Sequence, residues 1–395
     1  MKYNHSFSVA DILLPKKDFE NWAVIACDQY TSEPEYWDKA RVAAGDKPSA
    51  LNIVLPEVYL SADNSEKIDA INKNMQRYLD DNIFAKYFDA LIFVERIQSD
   101  GKCRRGIVGK IDLECYDYRS GTNAEIRATE QTVLSRIPPR VEIRKNAPLE
   151  LPHVMLLFDD VKDQIFSYLC ASKERFEKIY DFTLMCNAGS ITGYLLDESA
   201  KDTVLSMLSD LKQQNDGFLF CVGDGNHSLA TAKECYNQNP SEASRYALTE
   251  IVNIHDTALE FEPIYRIVFG VEPQSLINDF VKAVGAGSQK FKCYYGDTEI
   301  EIGVNPTAKL AVGTLQAFLD EYVKNHPESE IDYIHGEDSL KKLASRDNAV
   351  GFIFDGMQKG ELFPAVNADG SLPRKTFSMG HADDKRFYIE ARKIK

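Results

Sequence analysis

No apolar run in this 395-residue chain approaches the about 18 residues a membrane span needs, and the opening MKYNHSFSVADILLPKK lacks a signal-peptide pattern. We therefore expect a cytoplasmic protein with no membrane partner. Positive charge is also scarce, because 46 Lys and Arg stand against 61 Asp and Glu and leave a formal net charge of −15. Such a balance opposes general attraction to nucleic acid, and there is no basic DNA-reading helix. The eight cysteines (27, 103, 115, 170, 186, 221, 235 and 293) are scattered without a C-x-x-C pair, and most lie in apolar surroundings. Reduced core thiols are expected rather than disulfides or a zinc site. Internal repeats, low-complexity tracts and long linkers are missing too, with Gly285-Ala286-Gly287-Ser288 and Asn305-Pro306 as the loosest connections.

What is present suits a folded protein of more than one domain: 44% hydrophobic and 27% charged residues can bury sizeable cores. The stretch that organises the reading is Phe218 to Tyr236, FLFCVGDGNHSLATAKECY. Phe218 to Val222 form a buried-strand pattern, Gly223-Asp224-Gly225-Asn226 is a dense turn signal, and Leu229, Ala232 and Cys235 or Tyr236 recur at helical spacing behind a Ser228 N-cap. Strand, glycine turn and helix together place unpartnered backbone N–H groups and positive dipole charge where glycines permit close approach, which suits an anion. A plain strand-to-helix connection fits the same pattern. It is neither G-x-G-x-x-G nor a Walker A loop.

Upstream, Trp22 to Ala26 and Asn52 to Leu55 read as strands. Between them Asp28 ends a strand edge, and Thr31 or Ser32 before Glu33-Pro34 reads as a helix cap. Ser65 to Asp80 is an amphipathic helix, and two strands flank a hairpin at Asp100-Gly101. The segment Ile126 to Asp160 gathers Arg127, Arg136, Arg140 and Arg144 near Thr129, Glu130 and Thr132. Such a cluster is either a solvated face or a set of phosphate-neutralising cations around a base.

In those two stretches, and in WAVIACDQYTSEPEYW, LELPHVMLLFDD, GSITGYLL and LPRKTFSMGHADDKRFY, the chain resembles the domain of unknown function 1015 family. That family is related to the ParB/sulfiredoxin superfamily, which includes free serine kinases. The resemblance implies an α/β fold with mixed sheets: a ParB/sulfiredoxin-like core at residues 121–245, flanked by α/β regions at 1–120 and 246–395. It implies a small-molecule kinase that uses Mg2+ with ATP or ADP and phosphorylates a hydroxyl compound such as free L-serine. On that resemblance Glu130 stands where the kinase base falls, and Asp224-Gly225-Asn226-His227-Ser228 stands where a D-G-H-H-R phosphate turn falls. Glu130, His227 and Asp224 are then the catalytic candidates, with Asp224 also the candidate metal ligand. Gly223, Gly225, Asn226, Ser228, Arg127, Thr132, Arg140 and Lys233 are the candidate nucleotide contacts. Two positions depart from the pattern, Asn226 for the first His and Ser228 for the Arg; Arg127, Arg140 or Lys233 would replace the lost cation. The sulfiredoxin cysteine position is Asn226 here, so that chemistry fits worse. His381, near Lys375, Lys385 and Arg386, is either a second site group or part of a turn. A nucleotide-binding regulator and a phosphate-ester hydrolase are the rival readings, and the assembly state stays open, a homodimer included.

Overall fold

The computed structural model of the protein describes residues 3–61, 63–380 and 382–395; the sequence candidate His381 lies outside them. The chain forms two compact units: Met1–Ala128 with Thr132–Leu259 and His381–Lys395, and Thr129–Gln131 with Glu260–Gly380. Apart from Thr129–Gln131, the expected regions 1–120 and 121–245 share the first unit. Residues 246–259 join them because Tyr246–Asn253 pairs on one side with Cys103–Asp112 and on the other with Met155–Phe158.

The first unit is built on a mixed sheet whose strands run, edge to edge, Glu177–Thr183, Ser190–Leu195, Ile92–Ile97, Cys103–Asp112, Tyr246–Asn253, Met155–Phe158, Phe220–Asp224, Ile126–Ala128 and Tyr116–Asp117. Phe7–Ser8 adds a further pairing on Cys103–Asp112. Side chains alternate across a strand, and both faces here are covered. Ile92 and Val94 enter one apolar cluster with Trp22, Trp37 and Met75, while Phe93 between them enters another with Phe166, Val204 and Leu208. Helix Glu198–Gln214 supplies that second face with Ala200, Val204, Leu205 and Leu208, and its start is fixed by Asp197, whose carboxylate accepts from the Ala200 N–H at 2.8 Å.

Several local expectations meet tertiary constraints. Helix Ser65–Asp80 forms over the residues its periodicity marks. The strand expected over Trp22 to Ala26 shortens to Val24–Ile25, which pairs with Phe387–Tyr388 near the other end of the chain, and the strand expected over Asn52 to Leu55 does not form, since Asn52 closes a 3-10 turn at Ala50–Asn52. Helix Pro34–Ala44 starts on its proline without a cap from Thr31 or Ser32.

The second unit has an antiparallel sheet in the order Thr298–Val304, Ala286–Tyr295, Ala349–Ile353, Phe261–Phe269 and Glu330–His335, with Phe377–Met379 also on Phe261–Phe269. Helix Pro273–Val284 buries Leu276, Ile277 and Phe280, and the Phe280 ring meets Phe291 edge-on at 5.3 Å. No helix among the described residues is long and apolar enough to cross a membrane.

Candidate functional site

The Phe220–Asp224 strand lies parallel to Ile126–Ala128 and antiparallel to Met155–Phe158, with a register shift where Met155 faces Asp224. The chain then turns at Gly225, φ +83°, and enters helix Asn226–Gln238. A left-handed residue in this tight place favours glycine. A Cβ on Gly225 would lie 3.1 Å from the Val154 Cα, and one on Gly223 would lie 2.8 Å from the Leu157 side chain. Because Gly225 caps the helix, it starts earlier than a Ser228 cap predicts. The Ser228 hydroxyl turns instead to His153 Nε2, 2.7 Å away.

The turn carries an acid and collects bases. Asp224 Oδ1 accepts the Gly225 N–H at 2.9 Å, while its buried Oδ2 makes no hydrogen bond and stands 3.6 Å from Lys385 Nζ. His227 Nε2 accepts the Val133 N–H at 3.2 Å, which in the neutral ring leaves the proton on Nδ1. Burial first, then the positive charges of Arg140 and Arg136, push His227 down to about 4, against a small opposing effect of Asp28. Thr132, beside Val133, has a buried hydroxyl oxygen without a hydrogen-bond partner. An acidic protein thus holds Arg136, Arg140 and Lys385 around one helix N-terminus.

Asp28 belongs to the same neighbourhood. Burial alone would raise its carboxyl, but His153, the Gln29 side chain and Lys385 together hold it below the usual carboxylate range. His153 Nδ1 and the Tyr388 hydroxyl are 2.8 Å apart, and that phenol oxygen accepts the Cys27 N–H at 3.2 Å. His153 and Tyr388 were not singled out from the sequence. The signal for His153 was a polar residue between Pro152 and a buried strand; Tyr388 gave none.

Other candidates are engaged elsewhere. Arg127 donates from Nε to the Ala124 carbonyl at 2.9 Å and lies over the Phe218 ring at 3.9 Å. Lys233 reaches the Leu113 carbonyl at 2.8 Å. Arg140 pairs with Glu57 and also donates to the Arg136 carbonyl at 2.9 Å. Glu130 belongs to the second unit, half-buried, where its Oε1 accepts the Lys375 N–H at 3.1 Å. Cys221 is buried at the centre of its strand, and burial drives its thiol well above the ordinary range, so it is inert.

No curated protein matches the chain. Among solved structures it is similar to a free serine kinase mutant in complex with ADP, with 10% identity, TM-score 0.41, and coverage of 72% of this chain and 91% of that one. It is also similar to a conserved hypothetical protein from Pyrococcus furiosus, with 12% identity, TM-score 0.36, and coverage of 72% and 94%. A third is C-terminally truncated SbnI from Staphylococcus aureus, with 9% identity, TM-score 0.38, and coverage of 71% and 85%. Residues 8–364 match the family described as Protein of unknown function (DUF1015), and with most of its length inside that match the chain belongs to this family.

Proposed function

We propose that the protein is a small-molecule phosphotransferase that moves the terminal phosphoryl group of ATP or ADP to a hydroxyl group, free L-serine being the first acceptor to try. The observation that carries this reading is the turn from Gly223 to Ser228, where a glycine-lined helix N-terminus meets Arg136, Lys385 and the field of the Glu57-paired Arg140 in a protein of net charge −15. The first N–H groups of a helix lack partners within it and face an approaching anion. Backbone N–H groups at Asn226 to Ser228, the Nδ1–H of neutral His227 and the Thr132 hydroxyl then hold phosphate oxygens. Fixed donors of this kind are worth most where charge develops during transfer.

The attacking hydroxyl oxygen forms the new P–O bond as the bond to the departing nucleotide breaks, and its proton passes to a carboxylate. We assign that base to Glu130, two residues beyond Ala128. Asp224 fits a Mg2+ ion held mostly by phosphate oxygens and water, because its buried Oδ2 makes no hydrogen bond and Mg2+ characteristically takes one or two carboxylates in such a site. No group of three or more His, Cys, Asp or Glu residues able to hold a metal occurs among the described residues. When bound, the ion would neutralise charge between phosphates.

Phosphorus NMR of the whole protein with Mg2+, ATP or ADP in separate tubes, and L-serine or other small alcohols, tests the reading. A new phosphomonoester resonance that disappears in Asp224→Ala is expected. Intact nucleotide throughout would instead favour a nucleotide-binding regulator, and free phosphate alone would favour a hydrolase. Glu130→Gln should lower turnover by about 10²- to 10⁴-fold with nucleotide affinity nearly unchanged. Undiminished turnover in that variant removes Glu130 from the role.

A further inference from the structure

Beside the turn, within the first unit, lies a cavity of about 160 Å³. Its walls are mainly apolar and include Ile53, Leu55, Met75, Ile143, Leu151 and Val154. Four charged side chains also reach it, but they are matched among themselves and their neighbours. Glu57 pairs with Arg140; Glu150 pairs with Arg144 and, at 2.6 Å, with Arg392. A charged ligand would have to break one of these pairs, at the cost of leaving a partly buried charge uncompensated.

The polar end of the cavity has a direction. The Tyr388 oxygen accepts the Cys27 N–H, so its own proton needs an acceptor in a fully buried place. Its neighbours are the Cys27 sulfur, a weak acceptor, and His153 Nδ1 at 2.8 Å, a strong one. Burial keeps this phenol protonated far above its ordinary range. Where the ring accepts the Tyr388 proton at Nδ1 its own proton lies on Nε2, and a ring charged beside Asp28 carries one there as well, so Nε2 donates to Ser228 Oγ at 2.7 Å in both forms. The relay ends with the Ser228 hydroxyl as acceptor from His153, which leaves its own O–H to donate into the cavity that Ser228 lines.

We infer that this cavity binds the neutral, ring-sized body of a small molecule whose oxygen or ring nitrogen accepts the Ser228 O–H. Size agrees, since an apolar engineered cavity of about 150 Å³ in another protein takes up benzene. The site does not depend on phosphoryl transfer, because it uses the Ser228 side chain while the phosphate reading uses backbone. Two sources share the ligand chemistry: the base of a nucleoside, or an acceptor alcohol bulkier and less charged than serine.

Ligand-observed NMR titrations of the full chain with toluene, benzyl alcohol, adenosine and L-serine provide the test. Toluene and benzyl alcohol should bind saturably and compete with each other. Ser228→Ala should weaken benzyl alcohol about fivefold to tenfold, the usual scale of one hydrogen bond, and leave toluene unchanged. Ile143→Phe, which fills the cavity, should weaken both. Competition by adenosine assigns the site to a nucleoside, and competition by benzyl alcohol without adenosine assigns it to an alcohol. The inference is overturned if neither ring binds, if Ser228→Ala weakens toluene and benzyl alcohol equally, or if L-serine displaces toluene.

Discussion

Lys385 and Arg386 are neighbours in sequence with opposite surroundings. Arg386 is 1% exposed and donates to Glu250 at 2.8 Å and to Glu390 at 2.6 Å, while Tyr180 holds the far oxygen of Glu390 at 2.7 Å. Burial works against its charge, but the two carboxylates more than compensate and raise it. Arg104 and Arg96 hold the backbone just before it, through the Asp384 carbonyl at 2.6 Å and the Asp383 carbonyl at 2.9 Å. Lys385 stands 3.6 Å from an Asp224 oxygen that makes no hydrogen bond. One region answers charge with charge inside the core and acts as scaffold, although Arg386 Nε and Glu250 Oε1 make no hydrogen bond there either; the other sets its cations beside a helix N-terminus, on a segment the first region fixes.

The sharpest way to break that contrast is to remove the scaffold cation. Arg386→Met leaves the buried Glu390 with the Tyr180 hydroxyl and Glu250 with a long Arg104 pair at 4.0 Å, a change of about 3–5 kcal/mol in unfolding free energy, visible as an earlier urea midpoint. An unchanged midpoint would mean the network carries no net stability. Lys385→Met should have the reverse profile. Its ion pair is long, so stability should fall less than in Arg386→Met, while a lost charge-assisted contact of about 1.5–3 kcal/mol should weaken nucleotide binding roughly tenfold or more by calorimetry. Equal nucleotide affinity in the variant would place Lys385 outside the anion site.

The contrast also marks what sequence can convey. The apolar run from Phe218 to Val222, the glycine pair and the helical spacing from Ser228 onward are local signals, so strand, turn and helix were legible, as were the mixed α/β class and the family. Helix Asn226–Gln238 begins ahead of Ser228 because Gly225 adopts a left-handed conformation, which a serine-cap rule misses. The destinations of long side chains are set by distant partners: Lys233 is taken by Leu113, and Arg127 by Ala124 and Phe218. His153 becomes notable only through Tyr388, which lies 235 residues further along. The crossing of Thr129–Gln131 into the second unit is likewise a matter of tertiary pairing, through Leu372 N–H to the Thr129 carbonyl at 2.7 Å.

The mildest change sharpens the comparison most directly, because it reads the field at the turn itself. His227 titrates near 4 when folded and at the ordinary 6.5 when unfolded. Between those values the unfolded chain binds the extra proton, so stability rises with pH across that window. It is fully present above about 6.5 and is lost as pH falls toward 4. His227→Gln should flatten that part of the stability profile. Arg136 is an exposed cation acting on the ring through space, so Arg136→Ala should move the His227 midpoint upward by a fraction of a pH unit in a proton NMR titration. Inorganic phosphate at saturation should move it upward as well, since an anion at the helix N-terminus opposes the field of Arg140 and Arg136. A ring whose titration is indifferent to both Arg136 and phosphate would show that the turn is as closed to ligands as the network around Arg386.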